Sequence, residues 1–252
     1  MIERWQIKAD KNKRTGLQAP MGETTVLLHT CCAPCSSAII EAMMQNGITP
    51  VIYYCNPNIY PREEYEIRKN ECTRYAQALG LEIIDADYDH ENWLDAVKGL
   101  EGEPERGGRC LNCFKLRLLR TAQYARERGI KVITTTLASS RWKSLDQINE
   151  AGQWACQTVS SGKSRAFPDK GTESGSLSGN VQDIPDKEQE SVCLSGKRQE
   201  NTDADMIQSE VIWWDRNWRK GGLQERRLQI IKEYDFYNQL YCGCEFSMRK
   251  ED

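Results

Sequence analysis

The chain has 252 residues, enough for one or two domains with an ordinary core. Charged residues make up 28% and apolar residues 39%, a polar balance which implies that part of the chain does not pack. No run approaches the roughly eighteen apolar residues of a membrane span, and the opening residues (MIERWQIKADKNKR) lack the apolar stretch of a secretory signal, so a cytoplasmic protein with no membrane partner is expected. Eleven cysteines in such a chain argue for metal or redox chemistry rather than a disulfide framework.

In chain order, residues 1–23 are basic and punctuated by Gly and Pro, and are expected to be a mobile arm. Residues 24–30 (TTVLLHT) form the first predicted strand, followed by CCAPC and a helix over SSAIIEAMMQNG. Residues 50–55 (PVIYYC) predict a second strand, rich in β-branched and aromatic side chains. Residues 61–79 read as a helix with Pro61 in its first turn and Ile67 and Ala76 on its apolar side. A third strand is expected over 81–86, with His90 in the polar loop beyond it. A basic helix over 110–129 ends at Gly129, and a fourth strand covers 131–137 (KVITTTL). A helix over 144–156, a strand over 211–214 (VIWW) and a helix over 222–234 complete the pattern.

Residues 160–210 differ from the rest. They hold nine serines, five glycines and one aromatic residue, with six basic against ten acidic side chains. Such a segment cannot bury enough apolar surface to offset the ordering of its backbone, so a disordered insertion is expected. The rest of the chain is nearly neutral, so charge neither demands nor excludes a nucleic-acid partner. The predicted fold is α/β, one domain of residues 24–159 and 211–252 with a parallel sheet covered by helices on both faces. In such folds the ligand lies beyond the carboxyl ends of the strands. The loops CCAPC, Cys55-Asn-Pro-Asn and Ser139-Ser-Arg-Trp-Lys, which follow strands one, two and four, should therefore converge.

Three cysteine motifs carry the chemistry. Cys31, Cys32 and Cys35 lie between a strand and a helix N-terminus, where the helix dipole favours thiolates. Cys110 and Cys113 open another helix with a spacing that lets two sulfurs reach one metal or cluster. Cys242 and Cys244 flank Gly243, which permits the bent backbone of a tight CxC. Cys55, Cys72 and Cys156 read as small core residues, and Cys193 falls in the insertion. A structural zinc on Cys110, Cys113 and two further thiols competes with an iron–sulfur cluster, although adjacent cysteines are unusual for zinc. His29, at a strand end, reads as a packed residue rather than a ligand. There is no HExxH, Walker A or GxGxxG motif.

CCAPC, YYCNPNIYPREEYEIR, GGRCLNCFKLRL, TTLASSRWKSLDQI and YNQLYCGCEFS together resemble the epoxyqueuosine reductase family of the QueH type, in the family's order. The resemblance implies a Rossmann-like sheet of the HUP type, with Cys31, Cys32, Cys110 and Cys113 holding a [4Fe–4S] cluster. It also implies that Cys242 and Cys244 form a redox-active pair. The implied reaction is two-electron removal of the epoxide oxygen of epoxyqueuosine at the tRNA wobble position, with an external electron donor. The insertion departs from the family's compact pattern. Cys35, left over beside the cluster motif, is a candidate ligand for a second iron acting on the epoxide oxygen, or else a buried thiol.

Two stretches interleave aromatic and basic residues and can stack a base and neutralise phosphates. They supply Arg141 and Lys143, and Trp218, Arg219 and Lys220, as candidate substrate contacts, while Trp213 and Trp214 read as core. Two other classes of function stay open: a zinc-stabilised, non-enzymatic RNA-binding module and another HUP-type tRNA-modifying enzyme. An ATP-dependent thiolase would need a pyrophosphate loop where this chain has TCCAPCSS.

Overall fold

A computed structural model of the chain describes residues 16–86, 88–161, 210–239 and 241–248. Most of the predicted arm (1–15 of 1–23) and nearly all of the predicted insertion (162–209 of 160–210), Cys193 included, lie outside the described residues. Of the arm's described part, Leu17 and Ala19 are buried.

Five parallel strands form one sheet in the order β3-β2-β1-β4-β5. They are β1 (Thr25–His29), β2 (Thr49–Tyr54), β3 (Ile83–Asp85), β4 (Val132–Thr135) and β5 (Ile212–Trp213). Successive residues of a strand face opposite sides of a sheet, yet Val26, Leu27 and Leu28 are all fully buried, so both faces of β1 are covered. Among the described residues the α-helices are α1 (Ala33–Gln45), α2 (Arg62–Leu79), α3 (His90–Val97), α4 (Gly108–Glu127), α5 (Leu145–Ser160) and α6 (Leu223–Glu233). One group packs α1 with α2 and α6, and the other packs α4 with α3 and α5. The expected α/β parallel sheet is therefore present, and Cys55, Cys72 and Cys156 are buried as core residues.

Local chemistry sets the helix ends. Pro34 occupies the first turn of α1, where its missing N–H loses nothing. The Ser144 hydroxyl accepts from the Gln147 amide and caps α5. Gly80, at φ +69°, ends α2 in the left-handed conformation. No helix among the described residues is long and apolar enough to cross a membrane.

Some local expectations are corrected. His90 does not lie in a loop but begins α3, an eight-residue helix that buries Trp93, Ala96 and Val97. Spacings of three and four put those three on one face, and α3 packs that way beside α4. On α2 the buried stripe runs through Tyr65, Arg68, Cys72, Tyr75 and Ala76, while Ile67 is exposed. The strand expected through Leu137 stops at Thr135 and gives way to a short 3-10 turn over Thr136–Ser139.

Candidate active site

The chain leaves β1 towards β2 on one side and β4 lies on the other, so the crevice between the carboxyl ends of β1 and β4 is the switch point of the sheet. The cysteine loop fills this position. The Cys31 amide donates to the Thr136 hydroxyl at 3.2 Å, which ties the loop to the turn after β4. The Asn56 side chain donates to the Thr30 carbonyl at 2.9 Å, which ties it to the loop after β2. Cys32 is the extended N-cap residue of α1, and Cys35 lies in the first turn. One helical turn returns Cys35 over the N-terminus, and the sulfurs of Cys31, Cys32 and Cys35 all lie within 4.8 Å of one another.

Each sulfur of this trio meets donors. The Thr136 hydroxyl donates to Cys31 at 3.4 Å, and the Gln239 amide donates to Cys32 at 2.8 Å and to Cys35 at 3.9 Å. Hydrogen bonds from Cys32 and Cys35 hold the Cys31 thiol well below its usual range. Burial pushes Cys32 up, and the hydrogen bond with Cys31 pushes Cys35 to about 12. Three soft, closely spaced donors, one of them poised as a thiolate, form a set that can hold a metal. Arg227 braces the turn beneath by donating to the Pro34 carbonyl at 2.8 Å, and Arg226 grips Glu41 at 2.8 Å, so both arginines fasten α6 to α1.

Under the loop, His29 is fully buried. Its Nε2 faces the Cys55 carbonyl at 3.0 Å and so carries the hydrogen, while Nδ1 accepts from the Thr135 hydroxyl at 2.7 Å. Burial, then the nearby Arg117, lowers its pKa to about 3, so the ring is neutral and both nitrogens are used in packing.

The α4 cysteines approach from the other side. The Arg106 amide donates to the Cys110 sulfur at 3.3 Å. Arg117, four residues beyond Cys113 and so on the same face, reaches the Cys113 sulfur at 3.9 Å. Its guanidinium also donates to the Cys55 carbonyl at 3.1 Å and to the Asn56 side-chain oxygen. Burial alone would lower the Arg117 pKa, but the sulfurs of Cys113, Cys31 and Cys242 outweigh it and keep the cation charged. Cys110 and Cys113 stand outside the close trio, whereas Cys35 falls within it.

The third motif is strapped on by buried Arg68, whose guanidinium donates to the carbonyls of Cys242 at 3.2 Å and Tyr241 at 3.3 Å while pairing with Glu64 at 2.6 Å. The Tyr60 amide donates to the Gly243 carbonyl at 2.8 Å. Gly243 has φ +105°, the bend expected of it. Cys242 and Cys244 are both free thiols. Lys143 donates to the Cys242 sulfur at 2.7 Å. Burial would raise the Cys242 pKa, but the Lys143 charge and hydrogen bond more than offset this and bring it below the usual value. Burial pushes Cys244 up to about 12.

Of the other predicted residues, Arg141 and Lys220 are exposed. Lys143 turns inward to Cys242, and Arg219 donates to the Lys143 carbonyl at 2.8 Å. Trp218 is corrected: it is 1% exposed and its indole N–H donates to the Thr134 hydroxyl at 3.2 Å, so it packs in the core and presents no open face. Sequence reasoning missed Arg117, Arg68 and Gln239. Only Arg117 carried a signal, its four-residue spacing from Cys113.

The family model of epoxyqueuosine reductase QueH matches residues 26–171 and 184–250. The chain is 40% identical over 236 residues to the epoxyqueuosine reductase QueH of Histophilus somni, covering 94% of this chain and 77% of that protein. It is 38% identical over 247 residues to that of Haemophilus influenzae, covering 97% and 81%, and 37% identical over 236 residues to that of Acinetobacter baylyi, covering 94% and 86%. The chain belongs to the epoxyqueuosine reductase QueH family.

Proposed function

We propose that this member of the epoxyqueuosine reductase QueH family is an iron–sulfur enzyme that removes the epoxide oxygen of epoxyqueuosine at the wobble position of tRNA, leaving queuosine, in the last step of tRNA queuosine biosynthesis. One observation carries the reading: in a chain of this family, the sulfurs of Cys31, Cys32 and Cys35 lie within 4.8 Å of one another at the switch point of the sheet. Cys31, Cys32, Cys110 and Cys113 would hold a [4Fe–4S] cluster and Cys35 a second iron, groups that supply single-electron transfer and Lewis acidity respectively.

The chain's own residues supply the rest. Converting an epoxide to an alkene takes up two electrons and two protons and releases water. Two thiols that join as one disulfide give up the same two electrons and two protons. Oxidation of Cys242 and Cys244 therefore balances one turnover, and an external electron donor restores the pair. Lys143 draws the Cys242 pKa below its usual value and burial keeps the proton on Cys244; where Cys242 has already lost its proton, water returns the second proton to the leaving oxygen. Arg141 and Lys220 are the exposed cations suited to tRNA phosphates; Lys143 and Arg219 direct their donors into the site. A tRNA substrate supports the cytoplasmic location expected from the sequence.

The test is anaerobic purification with iron and sulfide analysis, followed by reaction with tRNA carrying epoxyqueuosine and a strong reductant. Mass spectrometry of the nucleosides should report queuosine, and the protein should be brown with absorption near 400 nm. A colourless zinc protein that leaves the epoxide intact overturns the reading in favour of a structural RNA-binding module.

A further inference from the structure

Trp142 is 65% exposed, and it sits one residue before the lysine that reaches Cys242. Large aromatic side chains seldom stand open to water unless something covers them in use. The backbone beneath this indole is fixed. Arg106 donates to the Trp142 carbonyl at 2.9 Å and the Arg141 carbonyl at 3.1 Å. Arg219 holds the Lys143 carbonyl at 2.8 Å, and the Ser140 hydroxyl accepts from the Trp142 amide at 3.3 Å. Arg106 is itself in the left-handed region at φ +69°, uncommon for a residue with a side chain. The Gln147 amide pins its carbonyl at 2.9 Å, and its own amide points at the Cys110 sulfur. The latch thus joins the Trp142 loop directly to the cysteine end of α4. The Arg141 guanidinium lies 4.9 Å from the centre of the indole ring.

We infer that Trp142 is a stacking platform for an unpaired nucleobase of the RNA, next to the nucleotide whose base enters the cysteine site. Lys143 points in and Trp142 points out from adjacent positions. A nucleotide reaching past Lys143 therefore brings its neighbour over the indole. Arg141 and Arg106 add positive charge beside an RNA backbone, which favours a nucleic acid over an acidic or apolar protein surface with no base to stack. The inference rests on the tRNA reading above and extends it to a specific recognition residue.

Equilibrium binding of tRNA carrying epoxyqueuosine separates the two ideas, because it does not depend on turnover. Trp142→Ala should weaken binding about tenfold or more, since stacking on an aromatic ring contributes at that level. Trp142→Tyr should restore most of it, and in steady state the loss should fall on KM more than on kcat. Stacking carries no charge, so Trp142→Ala should leave the slope of log K against log salt unchanged, whereas Arg141→Ala should reduce it by about one phosphate's worth. The side chain is exposed, so both variants should keep wild-type melting and iron content. Wild-type tRNA affinity in Trp142→Ala overturns the platform while leaving the reductase reading intact. Normal RNA affinity with a raised KM for a protein reductant assigns the patch to the electron donor and also overturns it. A wild-type protein that binds the tRNA but never reduces it sinks the reductase reading instead.

Discussion

The ammonium of Lys143, carried on the loop after β4, lies 2.7 Å from the sulfur of Cys242, 99 positions further along the chain. The contact divides the labour in the CGC motif. Burial raises both thiols; Lys143 reverses the effect at Cys242, whereas the Arg109 charge does not offset it at Cys244.

Alkylation should therefore discriminate between the two. The Cys242 pKa is lowered and that of Cys244 raised, so at pH 7.5 Cys242 should react with iodoacetamide faster than Cys244. Cys244, pushed up to about 12, should stay protonated and slow. Lys143→Met leaves only the weaker influence of Arg117 against burial. The midpoint of the Cys242 alkylation profile should then move up by at least about one pH unit, with an approximately tenfold slower reaction at pH 7.5. Lys143→Arg should keep most of the shift. Equal alkylation of both thiols in the wild type, or an unmoved midpoint in Lys143→Met, would show that the contact does not set reactivity.

Gly243 is constrained twice. Its φ of +105° is strained for any side chain, and a Cβ there would meet Ile59 at 2.9 Å and the Arg68 guanidinium at 3.0 Å. Gly243→Ala should displace the CGC segment from Arg68 while leaving the sheet intact. The expected result is a loss of about 1–3 kcal/mol in stability, together with loss of multiple turnover while iron is retained. Thermal melts and iron analysis check it; a variant with wild-type turnover would mean that the loop has a second arrangement compatible with catalysis.

How much of this was legible depended on whether the signal was local. The runs Val26–Leu28 and Val51–Tyr54 are continuous and apolar because both faces of their strands are covered, and they announced the sheet. The cysteine loops were placed at the carboxyl ends by the same pattern. His90–Val97 was missed because its first three residues are polar and it is only eight residues long. Trp218 was misplaced because basic neighbours suggest surface, whereas the turn after β5 rotates the indole onto Thr134. Arg68 and Gln239 act on partners more than 170 positions away, and no spacing rule reaches that far.

Single cysteine variants should resolve the ligand set. Loss or severe depletion of iron is expected for Cys31→Ala, Cys32→Ala, Cys110→Ala and Cys113→Ala. Cys242→Ser and Cys244→Ser should keep the iron but stop after one turnover. Cys35→Ala should keep the cluster's iron and sulfide and lose only the additional iron. The close grouping of Cys31, Cys32 and Cys35 defines the opposing outcome. If Cys110→Ala and Cys113→Ala hold full iron while Cys35→Ala loses it, the metal belongs to that trio alone.

Arg117 supplies the strictest test, because one side chain serves both fold and site. It is 2% exposed, and its guanidinium spans the Cys55 carbonyl, the Asn56 side chain and the Cys113 sulfur. Arg117→Met removes the fork but not its acceptors. The Cys55 carbonyl still has the His29 ring at 3.0 Å, whereas the Asn56 side-chain oxygen loses its donor. A buried acceptor left alone costs about 1–3 kcal/mol, and the thiolates lose the cation that offsets their charge. Arg117→Met should therefore destabilise the fold by about 3 kcal/mol and deplete iron. Arg117→Lys keeps the charge but cannot donate in a planar fork to two acceptors at once. It should retain more iron than Arg117→Met while recovering only part of the stability. Denaturant melts report the first quantity and anaerobic iron analysis the second. Because the two substitutions differ in charge, they separate the electrostatic role from the packing role. If Arg117→Met and Arg117→Lys lose iron equally, the guanidinium acts by shape alone. If Arg117→Met keeps both stability and iron, the buried cation is dispensable.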